Sequence, residues 1–235
     1  MNILLTNDDG YSSEGIKIFK KCLSKYGRVV ICAPLNAMSG KSCSITIWDP
    51  LEVKRIEDDV FACSGTPSDC VNFALSSLSI DFDLVVSGVN DGPNISYDTM
   101  YSGTIGACLE ALKYRKKTFA VSCFHHLEVV EEYFDKVFDF ISKHDLLSEE
   151  YLLNVNFPKS LEIKKIELGK LYYRNDHSFY KEVDGKYQSL RTLEELINEK
   201  DTDCYQVEHG IISIVPLYRS YFQEDLFNRL KKKIK

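Results

Sequence analysis

The chain begins with a short apolar run, Ile3-Leu4-Leu5, and for more than half its length two patterns alternate. Near-continuous apolar stretches at residues 2–6, 28–33 (RVVICA, closed by Pro34), 83–87 (DLVVS) and 118–123 (TFAVSC) predict strands. Between them, apolar residues recur at helical spacing. Ile16, Phe19 and Leu23 predict a helix with Gly27 as its C′ residue. Thr66-Pro67-Ser68-Asp69 supplies an N-cap, an N1 proline and a first-turn acid for a helix carrying Val71, Leu75 and Leu78. Further helices are expected from about Ser102 to Tyr114 and over 129–143, where Val130, Phe134, Val137 and Ile141 share a face. Segments 44–48, 51–56 and 59–63 predict short strands of a meander. Strands apolar on both faces, alternating with helices, require a parallel sheet covered on both sides. The expected class is α/β, doubly wound, with a mostly parallel Rossmann-like sheet.

After Pro158 the pattern changes. Residues 163–168 and 178–190 predict strands, the latter turning at Asp184-Gly185, a pair that favours a type I′ hairpin. A short helix from Thr192 to Asn198, a strand from Ile211 to Val215 and a terminal helix over 221–232 complete the expectation. No repeat or low-complexity linker interrupts the chain. It divides into a Rossmann-like catalytic core, 1–160, and a C-terminal extension, 161–235, of hairpin, strand and helix packed on that core. The aromatic hairpin residues Tyr172, Tyr173, Phe179, Tyr180 and Tyr187 fit packing or subunit contact better than a base-stacking platform.

Composition narrows the function. At 235 residues and 44% hydrophobic content the chain can fill a sizeable core. Its formal charge of -6 gives no basic stripe for a nucleic-acid polymer, while a small anion remains open to a pocket with its own local field. The basic end, Lys231 to Lys235, fits a solvated helix terminus. Eight cysteines are scattered without a CxxC pair, which argues against zinc and against a disulfide framework. No leader-like start and no membrane-length apolar run is evident, so a reducing, cytoplasmic setting without membrane attachment is expected.

The candidate chemistry lies at strand ends. In an open parallel sheet, ligands bind beyond the carboxyl ends of the strands, near the switch point. The first strand is followed by Asn7-Asp8-Asp9-Gly10, the second by Asn36, Ser39 and Gly40, and the strand ending at Ser87 by Gly88, Asn90, Asp91 and Asn94. Two adjacent carboxylates repel, and a divalent cation between them replaces repulsion with attraction. Carboxylate, hydroxyl and amide oxygens select Mg²⁺, Mn²⁺ or Ca²⁺ over zinc. The same tetrapeptide is also a good turn sequence. In Tyr101-Ser102-Gly103-Thr104, Ser102 is a plausible N-cap, and a helix N-terminus with a bare glycine suits a phosphate. Metal beside anion cradle implies phosphoryl chemistry, with attack by Asp8 on phosphorus as an open alternative. Gly40-Lys41-Ser42 fails as a P-loop because Leu35 stands where glycine is needed, and no GxGxxG follows the first strand. His125-His126 is expected to face solvent.

The stretches ILLTNDDGYSSEGI, APLNAMSGKSCSIT, SGTPSDCVNFAL, DLVVSGVNDGPNISYDTMYSGTIGACLEAL and LLNVNFP, in this order, resemble the successive motifs of the SurE family of metal-dependent nucleotidases. A weaker echo, TDCYQVEHGIISIVPL, follows at 202–217. The resemblance implies a SurE-like fold with one divalent cation per subunit, Mg²⁺ or Mn²⁺, held by Asp8, Asp9, Ser39 and Asn90. Asp8, Asp9 and Asn90 are also the implied catalytic residues, and Asn94, Ser102, Gly103 and Thr104 the implied phosphate site. The implied reaction is hydrolysis of nucleoside 5′- and 3′-monophosphates, with some action on short polyphosphate, in a homodimer or homotetramer built through C-terminal elements. Two departures stand out. The family's NxGxD loop reads Asn94-Ile95-Ser96-Tyr97-Asp98 here, losing a glycine, and Tyr97 is expected to narrow the cleft and alter base preference. Residues 170–190 hardly follow the family pattern. The alternatives are a non-catalytic nucleotide-binding protein and a phospho-accepting, receiver-like signalling module, although Lys116 and Lys117 precede their strand where a receiver's lysine closes one.

Overall fold

The computed structural model describes all of the chain except residues 175–176, 193–198, 219–223 and 234–235. Its core runs β1 (Asn2–Thr6), α1 (Glu14–Leu23), β2 (Arg28–Pro34), β3 (Val53–Glu57), β4 (Val60–Cys63), α2 (Pro67–Ser77) and β5 (Leu84–Asp91). There follow α3 (Asp98–Tyr101), α4 (Gly103–Lys113), β6 (Lys117–Cys123), α5 (Leu127–Lys143) and β7 (Tyr151–Asn156). Beyond these come β8 (Lys165–Leu168), the hairpin β9 (His177–Val183) and β10 (Lys186–Thr192), α6 (Asp203–Glu208), β11 (Ile211–Tyr218) and α7 (Glu224–Lys233).

Nine strands form one sheet in the order β3-β4-β2-β1-β5-β6-β7-β11-β8, and β9 and β10 pair separately. Within the nine-stranded sheet pairing is parallel except for β3 with β4 and β11 with β7, and the β9–β10 hairpin is antiparallel. The fold is thus α/β with a mostly parallel sheet plus a hairpin. β1 lies between β2 and β5, so chain progression reverses beside it, and the crevice of this fold opens beyond the ends of β1 and β5. Side-chain alternation explains the uninterrupted apolar strands. Ile3 and Leu5 join Phe19, Phe134 and Phe138 under α1 and α5. Leu4, on the opposite face, joins Val71, Ala74, Ala107 and Ala111 under α2 and α4.

Several expectations change. Residues 44–48 form no strand. Their backbone is spent on the start of α2: Thr46 N–H and Oγ1 both donate to the Asp69 carboxylate, and Thr66 Oγ1 donates to Ser44 carbonyl oxygen. This leaves Trp48 91% exposed. Gly27 is no helix cap, because α1 ends at Ser24; a Cβ at 27 would collide with the Met1 carbonyl, so glycine lets Arg28 N–H reach that oxygen and start the β1–β2 pairing. The short elements α3 and α6 and the strand β7 were not legible in the pattern. The turn at Asp184-Gly185 is as expected, both residues having positive φ, 53° and 73°. The helix expected from Thr192 to Asn198 falls, from 193 onward, outside the described residues.

Candidate metal and phosphate site

Asn7 builds the first loop. Its side-chain oxygen accepts from Gly10 N–H at 3.1 Å, and its amide donates to Gly10 carbonyl oxygen and Ser13 Oγ. This side-chain turn, with Gly10 at a φ of 103°, swings Asp8 and Asp9 over the end of β1. The second loop is sewn to the first, since Met38 N–H donates to Asp8 carbonyl oxygen at 2.7 Å and Tyr11 N–H to Pro34 carbonyl oxygen at 2.9 Å.

Asp8 is buried. Burial, with a smaller push from the charge of Asp9, raises its carboxyl to about 6, against the opposing hydrogen bond from Thr104. Thr104 Oγ1 donates to Asp8 Oδ1 at 2.6 Å, which joins the acid pair to the first turn of α4. Gly103 completes that junction: a Cβ there would stand 2.9 Å from Asp8 Cβ and 3.3 Å from Asp8 Oδ2. Ser102 caps α4 by accepting from Ile105 N–H, while the first-turn N–H groups of Gly103 and Thr104 have no acceptor within the helix. Asp9 is half-buried and its carboxyl is raised, chiefly by burial, with Asp91 N–H opposing at 3.4 Å and the Asp91 charge adding to the rise.

Asn94 is fixed from all sides. Its N–H donates to Asn156 Oδ1, its carbonyl oxygen accepts from Asn154 and Asn156, and its amide donates to Ser122 Oγ at 2.8 Å and Thr104 Oγ1 at 3.4 Å. Ser39 stands on the second loop, whereas Asn90, expected in a loop after Ser87, lies near the end of β5, which runs on past an irregularity to pair Asn90 with Ser122 of β6. Ser39 is exposed, one residue past the Met38 contact, and Asn90 donates its amide to Gly92 carbonyl oxygen at 2.6 Å, a bond that does not use its Oδ1. Neither is hydrogen-bonded to Asp8 or Asp9 among the described residues.

Sequence reasoning named Asp91 and His125 without their contacts, and missed two contributors, Asn154 and Asn156. Asp91 reaches Asp9, and His125 Nδ1 lies 3.1 Å from Asp91 Oδ1, so His125 faces solvent at the rim of the acid cluster. Asn154 and Asn156, alternate polar positions in an otherwise apolar buried strand, hold Asn94; buried amides in such a place need partners, and that was the available signal. Ser96 stands where the family pattern has glycine and has a φ of 54°, a left-handed conformation that glycine adopts without strain.

The donor set suits a hard divalent cation. Among the described residues no three His, Cys, Asp or Glu side chains cluster as a metal site, so a cation held here would need amide or hydroxyl oxygens beside the two carboxylates. Two adjacent acids, one buried with its carboxyl pushed up, form an environment in which a cation's charge restores ionisation. The bare face of Gly103 keeps side-chain atoms away from Asp8 Oδ2.

Comparison with known proteins identifies the family. A family model described as survival protein SurE matches residues 3–178. A 5′-nucleotidase SurE from Clostridium botulinum (strain Loch Maree) is 37% identical over 234 residues, with 93% of each chain covered. A 5′-nucleotidase SurE from strain Alaska E43 is 32% identical over 248 residues, with 99% of each covered. The crystal structure of the SurE protein from Aquifex aeolicus superposes with a TM-score of 0.86 at 32% identity and full coverage of both chains. With this match along the whole length in both sequence and fold, the chain belongs to the SurE family.

Proposed function

We propose that this chain is a 5′-nucleotidase: a divalent-metal-dependent phosphomonoesterase that hydrolyses nucleoside 5′-monophosphates, and with them 3′-monophosphates and short polyphosphate, to release phosphate. The reading rests on one contact. The 2.6 Å hydrogen bond from Thr104 to Asp8 puts a carboxylate pair against a helix N-terminus, so cation and anion sites share an edge. Relatives named 5′-nucleotidase SurE support the activity.

Asp8, Asp9, Ser39 and Asn90 would hold Mg²⁺ or Mn²⁺, one per subunit. When bound, such a cation supplies polarisation of the phosphoryl group and acidification of water. The protein supplies the rest. N–H groups of Gly103 and Thr104 and the positive end of the α4 dipole attract the phosphate oxygens, Ser102 fixes the helix start, and Asn94 holds Thr104 in place. The receiver-like alternative gains nothing, since Lys117 opens β6 and Cys123 closes it.

Phosphate release from AMP, GMP and an aryl phosphate, with and without EDTA, tests the reading. Turnover should vanish with chelator and return with Mg²⁺ or Mn²⁺, and Asp8→Ala and Asp9→Ala should each abolish it while the fold persists. Activity indifferent to EDTA or to either substitution would overturn it. Assembly into a homodimer or homotetramer through the C-terminal elements is part of the proposal. Helix α7 buries none of its residues and exposes Leu226, Phe227 and Leu230, a stripe suited to another subunit. Sedimentation of the wild type against Phe227→Glu checks this. No helix among the described residues is long and apolar enough to cross a membrane. A cytoplasmic setting is proposed from the cysteine usage.

A further inference from the structure

Two tyrosines beside the phosphate site are held together and left open to water. The Tyr97 and Tyr173 rings pack with centroids 5.0 Å apart at 45°, yet Tyr97 is 39% and Tyr173 58% exposed. Packing alone does not account for a ring pair with so much free face. Their backbones, however, are pinned by shared polar groups. Ser96 Oγ accepts from Arg174 N–H at 3.1 Å. The buried Asp203 carboxylate accepts from Ser96 N–H at 2.8 Å, Tyr172 N–H at 3.0 Å and Cys204 N–H at 2.8 Å. Asp98 pairs with Arg191 at 2.6 Å and Arg174 at 3.4 Å. The residues on either side of Tyr97 are thus tied to those on either side of Tyr173, and the pair is preorganised.

The pair also has a defined relation to the phosphate site. Tyr97 follows Asn94 by three residues, and the four-residue helix α3, about 6 Å long, separates it from Ser102. Tyr173 and Ser102 line one cavity of about 270 Å³, with Thr99, Met100, Ile105 and Tyr218 also in its wall. Tyr173 thus shares a cavity with the residue that caps α4, and Tyr97, outside that wall, packs on Tyr173.

We propose that Tyr97 and Tyr173 form the wall on which the base of the nucleoside monophosphate stacks, making them specificity-determining residues of this chain. The proposal rests on the nucleotidase reading and adds the recognition of the base. For Tyr173 it also departs from the expectation that the aromatic residues around the hairpin fit packing or subunit contact better than a base-stacking platform. Stacking on a tyrosine face accepts any base and grips purines, with their larger surface, more firmly.

The experiment compares AMP, CMP and glycerol 2-phosphate, which has no base, in wild type, Tyr97→Ala, Tyr173→Ala and the two Phe variants, with subunit size measured for each. Because both rings are exposed, the Ala variants should fold. Expected is a rise in KM for AMP of about tenfold or more, a smaller rise for CMP, no change for glycerol 2-phosphate, and wild-type behaviour for Phe. Equal losses on all three substrates, or a changed subunit size with uniform loss, would assign the pair to structure or assembly and overturn the proposal. An unchanged ratio of AMP to glycerol 2-phosphate would do the same while leaving the nucleotidase reading intact. A wild type that releases phosphate from none of them overturns that reading, and this proposal with it.

Discussion

Replacing Thr104 by valine removes one hydroxyl from the centre of the site and little else. Valine matches threonine in shape, and Thr104 is fully buried, so the surrounding packing has no reason to move. What is lost is the 2.6 Å donor to Asp8 Oδ1, together with the long 3.4 Å contact from the Asn94 amide. A hydrogen bond to a charged group contributes about 1.5–3 kcal/mol. If that stabilisation acts on the ionised Asp8 of the working enzyme, kcat/KM should fall by roughly 10- to 150-fold at 1.36 kcal/mol per decade. The assay is phosphate release from AMP at saturating divalent cation, with urea unfolding in parallel to confirm an unchanged m-value. Thr104→Ser keeps the donor and should stay within a few-fold of wild type. A Val variant within twofold of wild type would show that the link between acid pair and helix is incidental, and the site would have to be redrawn.

Other substitutions probe the frame around it. Asp203→Ala strands three backbone N–H groups and should cost about 3–5 kcal/mol in urea denaturation, with a loss below 1 kcal/mol contradicting the role given to this carboxylate. Gly106→Ala would drive a Cβ into the Ser42 carbonyl, so the loop carrying Ser39 must shift; the expected result is about 1–3 kcal/mol of lost stability and weaker metal binding by isothermal titration, and wild-type values for both would refute it. Arg28→Ala breaks a two-pronged pair with Asp59 at 2.9 and 2.6 Å, but on an exposed edge, so less than about 1 kcal/mol should be lost and high salt should erase the difference.

Local rules wrote much of this molecule into its sequence. The apolar strands, the helical periodicities and the Thr66-Pro67-Ser68-Asp69 start of α2 depend on neighbours a few residues away, and α2 carries the reciprocal cap that its sequence implies. The positions of Asp8, Asp9, Asn90 and Ser102 at strand and helix ends were legible for the same reason. Their partners were not. The amides of Asn154 and Asn156 reach Asn94 from 60 and 62 positions away, and Asp203 reaches Ser96 from 107.

Three details needed the assembled chain. The stretch 44–48 has strand-like residues, yet competition for its hydrogen bonds by Asp69 and Thr66 made it a brace for α2. Gly27 looked like a helix stop, but the requirement came from Met1, which only folding brings beside it. The pairing of Tyr97 with Tyr173 joins two segments whose spacing in sequence predicts nothing about contact. Sequence alone determined the longer helices, the apolar core strands and where the acids and the starts of α2 and α4 fall, because those depend on short-range sterics, capping and periodicity. Which distant side chains share a buried carboxylate or a ring face was decided by tertiary structure, because burial obliges each polar group to find a partner among whatever the fold brings near it.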